Sequence, residues 1–158
     1  LYAHRGNIDG IDVDNENKPE YVIYALNEGF HVEVDVHYFG GLFFLGHDDP
    51  TYEVNESFLE NPKIICHAKT AESFMRMMFN AKIHSFWHDK DLYTITSKHF
   101  FWTLDDSSEI DFMTDFYKLL HPKIGKRILC DPMMDEKLTE WYHNNYIGIC
   151  SDYVGGLL

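Results

Sequence analysis

Apolar and polar residues alternate most cleanly between His31 and Phe39, where Val32, Val34 and Val36 interleave with Glu33, Asp35 and His37. A period of two marks a β-strand with two unlike faces. Shorter strand-like runs fall at 1–4, 63–68, 84–88, 93–96, 100–103, 127–130 and 147–151. Gly40-Gly41 reads as a tight turn, with Leu42 to Leu45 as the return arm of a hairpin. Helical spacing takes over elsewhere. A helix is expected over 19–28, opened by Pro19, carrying Val22, Ala25 and Leu26, and stopped at Gly29. Thr70 can cap a second, with Phe74, Met77, Met78 and Ala81 on one face. Two more are expected after Asp105-Asp106-Ser107-Ser108 (Ile110, Met113, Tyr117, Leu120) and after Asp131-Pro132 (Met134, Leu138, Trp141, Tyr142).

Without the hairpin's return arm, this pattern predicts eight strands in a βα-like order. The expected fold is α/β: a compact, reduced (β/α)8 TIM-type barrel over residues 1–158 as a single domain. A full barrel typically needs ~250 residues, so several helices must be shortened or missing, above all between residues 84 and 103. An open α/β sheet is the alternative.

Polar islands interrupt the apolar runs at Ala3-His4-Arg5-Gly6, Val32-Glu33-Val34-Asp35-Val36, Leu45-Gly46-His47-Asp48 and Cys66-His67-Ala68-Lys69. Charges in such positions need partners, a metal or a substrate. Glu33 and Asp35 share one strand face, their carboxylates roughly 6–7 Å apart by the rise per residue, so both can reach one hard cation. His4 and His47 end two separate segments and can serve as base and acid. Alternation pairs His67 with Lys69, a candidate metal ligand beside a candidate phosphate cation. Arg5 is a second candidate cation. His31 and His37 flank the carboxylates and keep open a different reading, a His-rich metal-binding β protein. His88 is a candidate pocket residue without an assigned role.

Charge narrows the partners. Lys and Arg number 13 against 26 Asp and Glu, giving −13 at pH 7. That balance argues against nucleic acid or an anionic membrane as the main partner. No apolar run approaches the ~18 residues of a membrane span. Cys66, Cys130 and Cys150 each sit in an apolar run and read as buried free thiols, which suits a reducing, cytoplasmic location.

The ordered set Ala-His-Arg-Gly, Glu-x-Asp and Gly-His-Asp, together with Lys69, resembles the glycerophosphodiester phosphodiesterases, phospholipase-C-like phosphodiesterases with (β/α) barrels. The likeness is strongest over residues 3 to 70. It echoes loosely at Asn15-Glu16-Asn17-Lys18, where the family has Pro-Glu-Asn-Thr, and at Gly148 to Tyr153, where its last strand typically ends in an Asp. The resemblance implies a metal-dependent hydrolase of small phosphodiesters in lipid metabolism. It puts His4 and His47 in the catalytic positions, Arg5 and Lys69 on the phosphate, and Glu33 and Asp35 on one divalent ion. Mg²⁺ is the expected ion, with Ca²⁺ or Mn²⁺ as alternatives. Where the family has Glu-x-Lys this chain reads His67-x-Lys69, so His67 stands in the third ligand position. The altered ligand motivates a rival reading, a catalytically inactive phospho-ligand-binding barrel.

Overall fold

The computed structural model describes residues 1–104, 126–131, 133, 134 and 146–157. The helix expected after Asp105 lies outside these residues, and so does most of that expected after Asp131. Among the described residues, ten strands form one mixed sheet: β1 (Tyr2–His4), β2 (His31–Phe39), β3 (Leu42–Leu45), β4 (Tyr52–Val54), β5 (Ile64–Ala68), β6 (Ser85–Phe86), β7 (Tyr93–Ile95), β8 (Phe100–Thr103), β9 (Lys126–Cys130) and β10 (Gly148–Ser151). Three short helices accompany them among the described residues: α1 (Pro19–Asn27), α2 (Glu56–Leu59) and α3 (Ala71–Met78). A 3-10 turn spans Val154–Leu157.

The hydrogen-bonded run β6–β5–β2–β1–β10–β9–β8 is parallel throughout. The hairpin arm β3 and strand β4 pair antiparallel beyond the upper half of β2. One expectation is corrected. The run near residue 93 is not an eighth parallel strand: β7 pairs antiparallel with β8. Only Thr96 to His99 separate the two, and a parallel crossover needs a dozen or more residues. Among the described residues the parallel strands therefore number seven, and the ladder does not join β6 to β8. Strand β6 still meets the β7–β8 hairpin. Ser97 N–H donates to Ser85 O at 2.7 Å, Ser85 N–H donates to Ser97 Oγ at 2.9 Å, and the Phe86 and Trp102 rings stack at 4.5 Å.

Alternation along β2 sorts the core into two. Val32, Val34 and Val36 are fully buried in the larger cluster with Val22 and Ala25 of α1 and Met77 of α3. On the other face Ile65, Phe86, Trp102, Ile128, Cys130 and Cys150 form a second cluster. All three cysteines are buried and free, as their apolar settings predict. Thr70 caps α3 by accepting from Ser73 N–H at 3.1 Å. Met78 is exposed, because α3 ends there and its buried face is completed by Met77 and Phe74.

His84 is a structural histidine beside the β6–β8 junction. Its Nε2 lies 2.8 Å from Thr96 Oγ1, which also accepts from Phe100 N–H at 3.2 Å. Burial, with Lys98 and His31 adding to it, pushes its pKa from 6.5 down to about 4. The unfolded chain thus binds this proton first, so stability falls as pH drops from about 6.5 to about 4. The loss is on the order of 3 kcal/mol at ~1.4 kcal/mol per unit. Denaturant titrations at several pH values should show this limb in the native protein. A His84→Leu variant should lack it, and equal slopes in the two proteins would overturn the assignment.

Candidate functional site

The candidate site is built at the carboxyl ends of β1, β2, β5 and β10. After His4 the chain turns sharply, with Arg5 at φ 54° and Gly6 at φ 94°. A Cβ at Gly6 would approach Tyr21 Cδ1 to 2.9 Å, so glycine permits both the turn and the close seat of α1. The turn aims His4 and Arg5 toward β2. Gly46 does the same for the hairpin side: its φ is 151°, and a side chain there would collide with the Asp49 carbonyl. The loop carrying His47 depends on that clearance.

Glu33 and Asp35 are buried, 2% and 1% exposed. This excludes a water-facing sheet surface. Asp35 is heavily partnered. Its Oδ1 lies 3.2 Å from both His67 Nδ1 and Lys69 Nζ, and its Oδ2 lies 3.0 Å from Arg5 Nε. Asn17 clamps it from the other side, donating from Nδ2 to Oδ2 at 3.0 Å and accepting from Asp35 N–H at 2.9 Å. Burial pushes the Asp35 carboxyl up, but the hydrogen bond with His67 and the charges of Arg5 and Lys69 outweigh it. The group is held far below the usual carboxylate range.

Glu33 is poorly partnered. Among the described residues its Oε2 is buried without a hydrogen-bond partner, 3.9 Å from His4 Nε2, and its Oε1 lies 3.8 Å from His67 Nδ1. Burial, then the charge of Asp35, raises its pKa. One oxygen or nitrogen from each of Glu33, Asp35 and His67 fall within 4.8 Å of one another. An orphaned buried carboxylate oxygen in a compact two-oxygen, one-nitrogen donor set fits a divalent cation.

His4 is oriented by the last strand. Its Nδ1 contacts Asp152 Oδ1 at 2.9 Å, and Asn7 Nδ2 donates to the same oxygen at 2.7 Å. Burial works against the His4 charge, yet the bond to Asp152 and the nearby Glu33 raise its pKa to about 9. Glu16 accepts from Arg5 Nη1 at 2.9 Å and from Asn7 Nδ2 at 3.0 Å. His67 lies parallel to Phe86 and His88, with centroids 4.9 and 4.8 Å away, so rings from β6 and the residues after it fix its plane.

The structure thus joins His4, Arg5, Glu33, Asp35, His67 and Lys69 in one contact network. His47 stands apart. It is 43% exposed, pairs with Asp48 Oδ1 at 2.8 Å, and shares with His4 and Arg5 the lining of a cleft of about 620 Å³. His31 lies against Tyr2 with the ring planes tilted by 54°, and His37 Nε2 contacts Gly46 O at 2.9 Å, so neither belongs to the donor cluster. Four residues go beyond those singled out from sequence: Asn7, Glu16, Asn17 and Asp152. Glu16 and Asn17 lie in the loose Pro-Glu-Asn-Thr echo and Asp152 follows the last strand, so a signal existed for three. Asn7 carried none.

No family model matches the chain, and no curated protein matches it. Its fold is similar to that of a crystal structure described as a "putative glycerophosphodiester phosphodiesterase" from Galdieria sulphuraria, with 11% identity and a TM-score of 0.52. The match covers 99% of this chain and 94% of that one. At this identity the likeness is one of fold.

Asn17 tests how tightly the network is built. It is buried with φ 61°, a left-handed conformation, while holding Asp35 through two hydrogen bonds. Asn17→Ala should cost about 3 kcal/mol, combining the lost bonds to a charged group with the left-handed penalty. Asn17→Gly should recover about 1 kcal/mol of it. Urea denaturation of the three proteins gives the comparison, and equal stability of the Ala and Gly variants would remove the strain component.

Proposed function

We propose that the chain is a reduced (β/α) barrel that cleaves a small phosphodiester by histidine acid/base catalysis with one divalent cation. The carrying observation is the buried Glu33 and Asp35 pair, ringed by His4, Arg5, His67 and Lys69 at the carboxyl ends of parallel strands. The carboxyl end is where barrel enzymes keep their chemistry. The fold of the Galdieria sulphuraria protein and the meeting of β6 with β8 support the barrel part of the reading.

In this scheme Glu33, Asp35 and His67 hold the cation. When bound, it supplies positive charge against the phosphoryl oxygens. Arg5 and Lys69 stand on either side of Asp35 and stabilise the charge that grows on the phosphate. Asp152 fixes His4 through Nδ1, leaving Nε2 free to exchange a proton with the substrate. One of His4 and His47 takes the proton of the attacking hydroxyl or water, and the other returns a proton to the leaving oxygen. His47 lines the same cleft as His4 and Arg5.

Removing either histidine should expose these roles. His4→Ala and His47→Ala should each lower turnover about 10²–10⁴-fold, the usual cost of losing a general acid or base. Circular dichroism should report an intact fold. A near-native rate in either variant would strip that histidine of its role.

A second reading has its own observation. Arg5 and Lys69 are already paired within the protein, to Glu16 and Asp35, and His47 lies outside the network. This suits a barrel that binds a phospho-ligand without turning it over. Binding of inorganic phosphate with no metal-dependent hydrolysis of any simple phosphodiester would favour it.

The donor set predicts metal preference. Two carboxylates suit Mg²⁺ or Ca²⁺, while the imidazole of His67 favours Mn²⁺, Co²⁺ or Zn²⁺. Chelation should abolish activity and added metal should restore it. His67→Glu should shift binding, read by calorimetry, toward Mg²⁺ and Ca²⁺. An unchanged metal profile would falsify a ligand role for His67.

A further inference from the structure

The cleft has a second character besides its polar floor. Its volume of about 620 Å³ far exceeds one phosphate and falls among sites that enclose ligands of moderate size. Part of its wall is aliphatic. Ile11, Val13 and Met133 line it and are 49%, 78% and 62% exposed. They come from two separate segments, the loop after β1 and the residues after β9. Large aliphatic side chains held in water on the wall of a cleft gain free energy when a ligand covers them. Elsewhere at this end of the sheet, Leu92 and Leu104 are also exposed, pinned together by a Leu104 N–H to Leu92 O bond of 2.7 Å. Charge restricts the ligand further. Among the described residues lining the cleft, Arg5 is the one Arg or Lys, against the carboxylates of Glu16, Asp48, Asp49 and Asp152. These carboxylates outnumber Arg5, so Arg5 and the bound cation must together meet the single charge of a phosphodiester, and further anionic groups on the ligand are disfavoured.

We propose that the site takes a monoanionic phosphodiester in which one ester arm is an aliphatic chain, seated against Ile11, Val13 and Met133. The proposal rests on the phosphodiesterase reading for its phosphate end. The aliphatic wall itself follows from the cleft. Val13 and Met133 set specificity here, because nothing in their chemistry acts on the phosphorus.

Calorimetry with methyl alkyl phosphates, from methyl to octyl and below their aggregation concentrations, tests this in the metal-loaded protein. The Kd should fall about twofold per added methylene, half the effect of full burial on the free-energy scale, then level off when the wall is covered. In the double variant Val13→Ser, Met133→Ser the slope should drop to about 1.2-fold per methylene. Both side chains stand in water, so the variant should fold. A Kd independent of chain length, a slope that survives in the double variant, or no binding of any member would each overturn the proposal. Turnover of alkyl p-nitrophenyl phosphates separates the two readings. Chain-dependent binding without release of p-nitrophenolate keeps the aliphatic wall and rejects the phosphodiesterase. Equal kcat/KM for the methyl and hexyl members rejects the wall alone.

Discussion

Glu33 and Asp35 lie buried on the same face of a strand in the middle of the parallel run. Two carboxylates out of water are costly unless cations and hydrogen bonds meet them. Much of the upper half of the molecule answers that demand. Arg5 arrives from β1, His67 and Lys69 from β5 and its end, and Asn17 from the loop before α1. The answer is uneven. Asp35 collects three cationic or potentially cationic partners and an amide clamp, while Glu33 keeps an oxygen with no hydrogen-bond partner. That imbalance locates the place where an added positive charge would be most stabilised.

The supporting contacts cross long stretches of sequence. His4 at the start of the chain is held by Asp152 near its end, and Asn7 ties that same carboxylate to Glu16. Parallel pairing of β1 with both β2 and β10 makes this possible, because it puts three carboxyl ends side by side. The site therefore forms only when the first and last strands have docked. Its geometry reports on the whole sheet rather than on any one motif.

Legibility from sequence followed the strength of local rules. In β2 the two periodicities agreed: valines on one face, ionisable groups on the other. Boundaries, burial and the facing of Glu33 and Asp35 could all be read from it. The Gly40-Gly41 turn and the Thr70 cap were equally local. The orientation of β7 was less plain, since its residues read as a strand in either direction and only the four-residue loop after it dictated a hairpin. Strand β4 and helix α2 are three and four residues long, too short for a periodic signal. Asn17 and Asp152 earn their places through contacts with residues 18 and 148 positions away, which no window along the chain contains.

Between β6 and the β7–β8 hairpin, among the described residues, the ladder gives way to a main-chain bond from Ser97 to Ser85, side-chain bonds of Ser97 and of Thr96 with His84, and a ring stack. A seam of that kind separates at lower free energy than a continuous ladder, so amide protons flanking it should exchange with solvent before those of β1 and β2. Phe86 belongs to both the seam and the ring stack that fixes His67. Breathing of the seam is thereby transmitted to the plane of one imidazole, and a join without a ladder becomes one of the contacts that set how rigidly that donor is held.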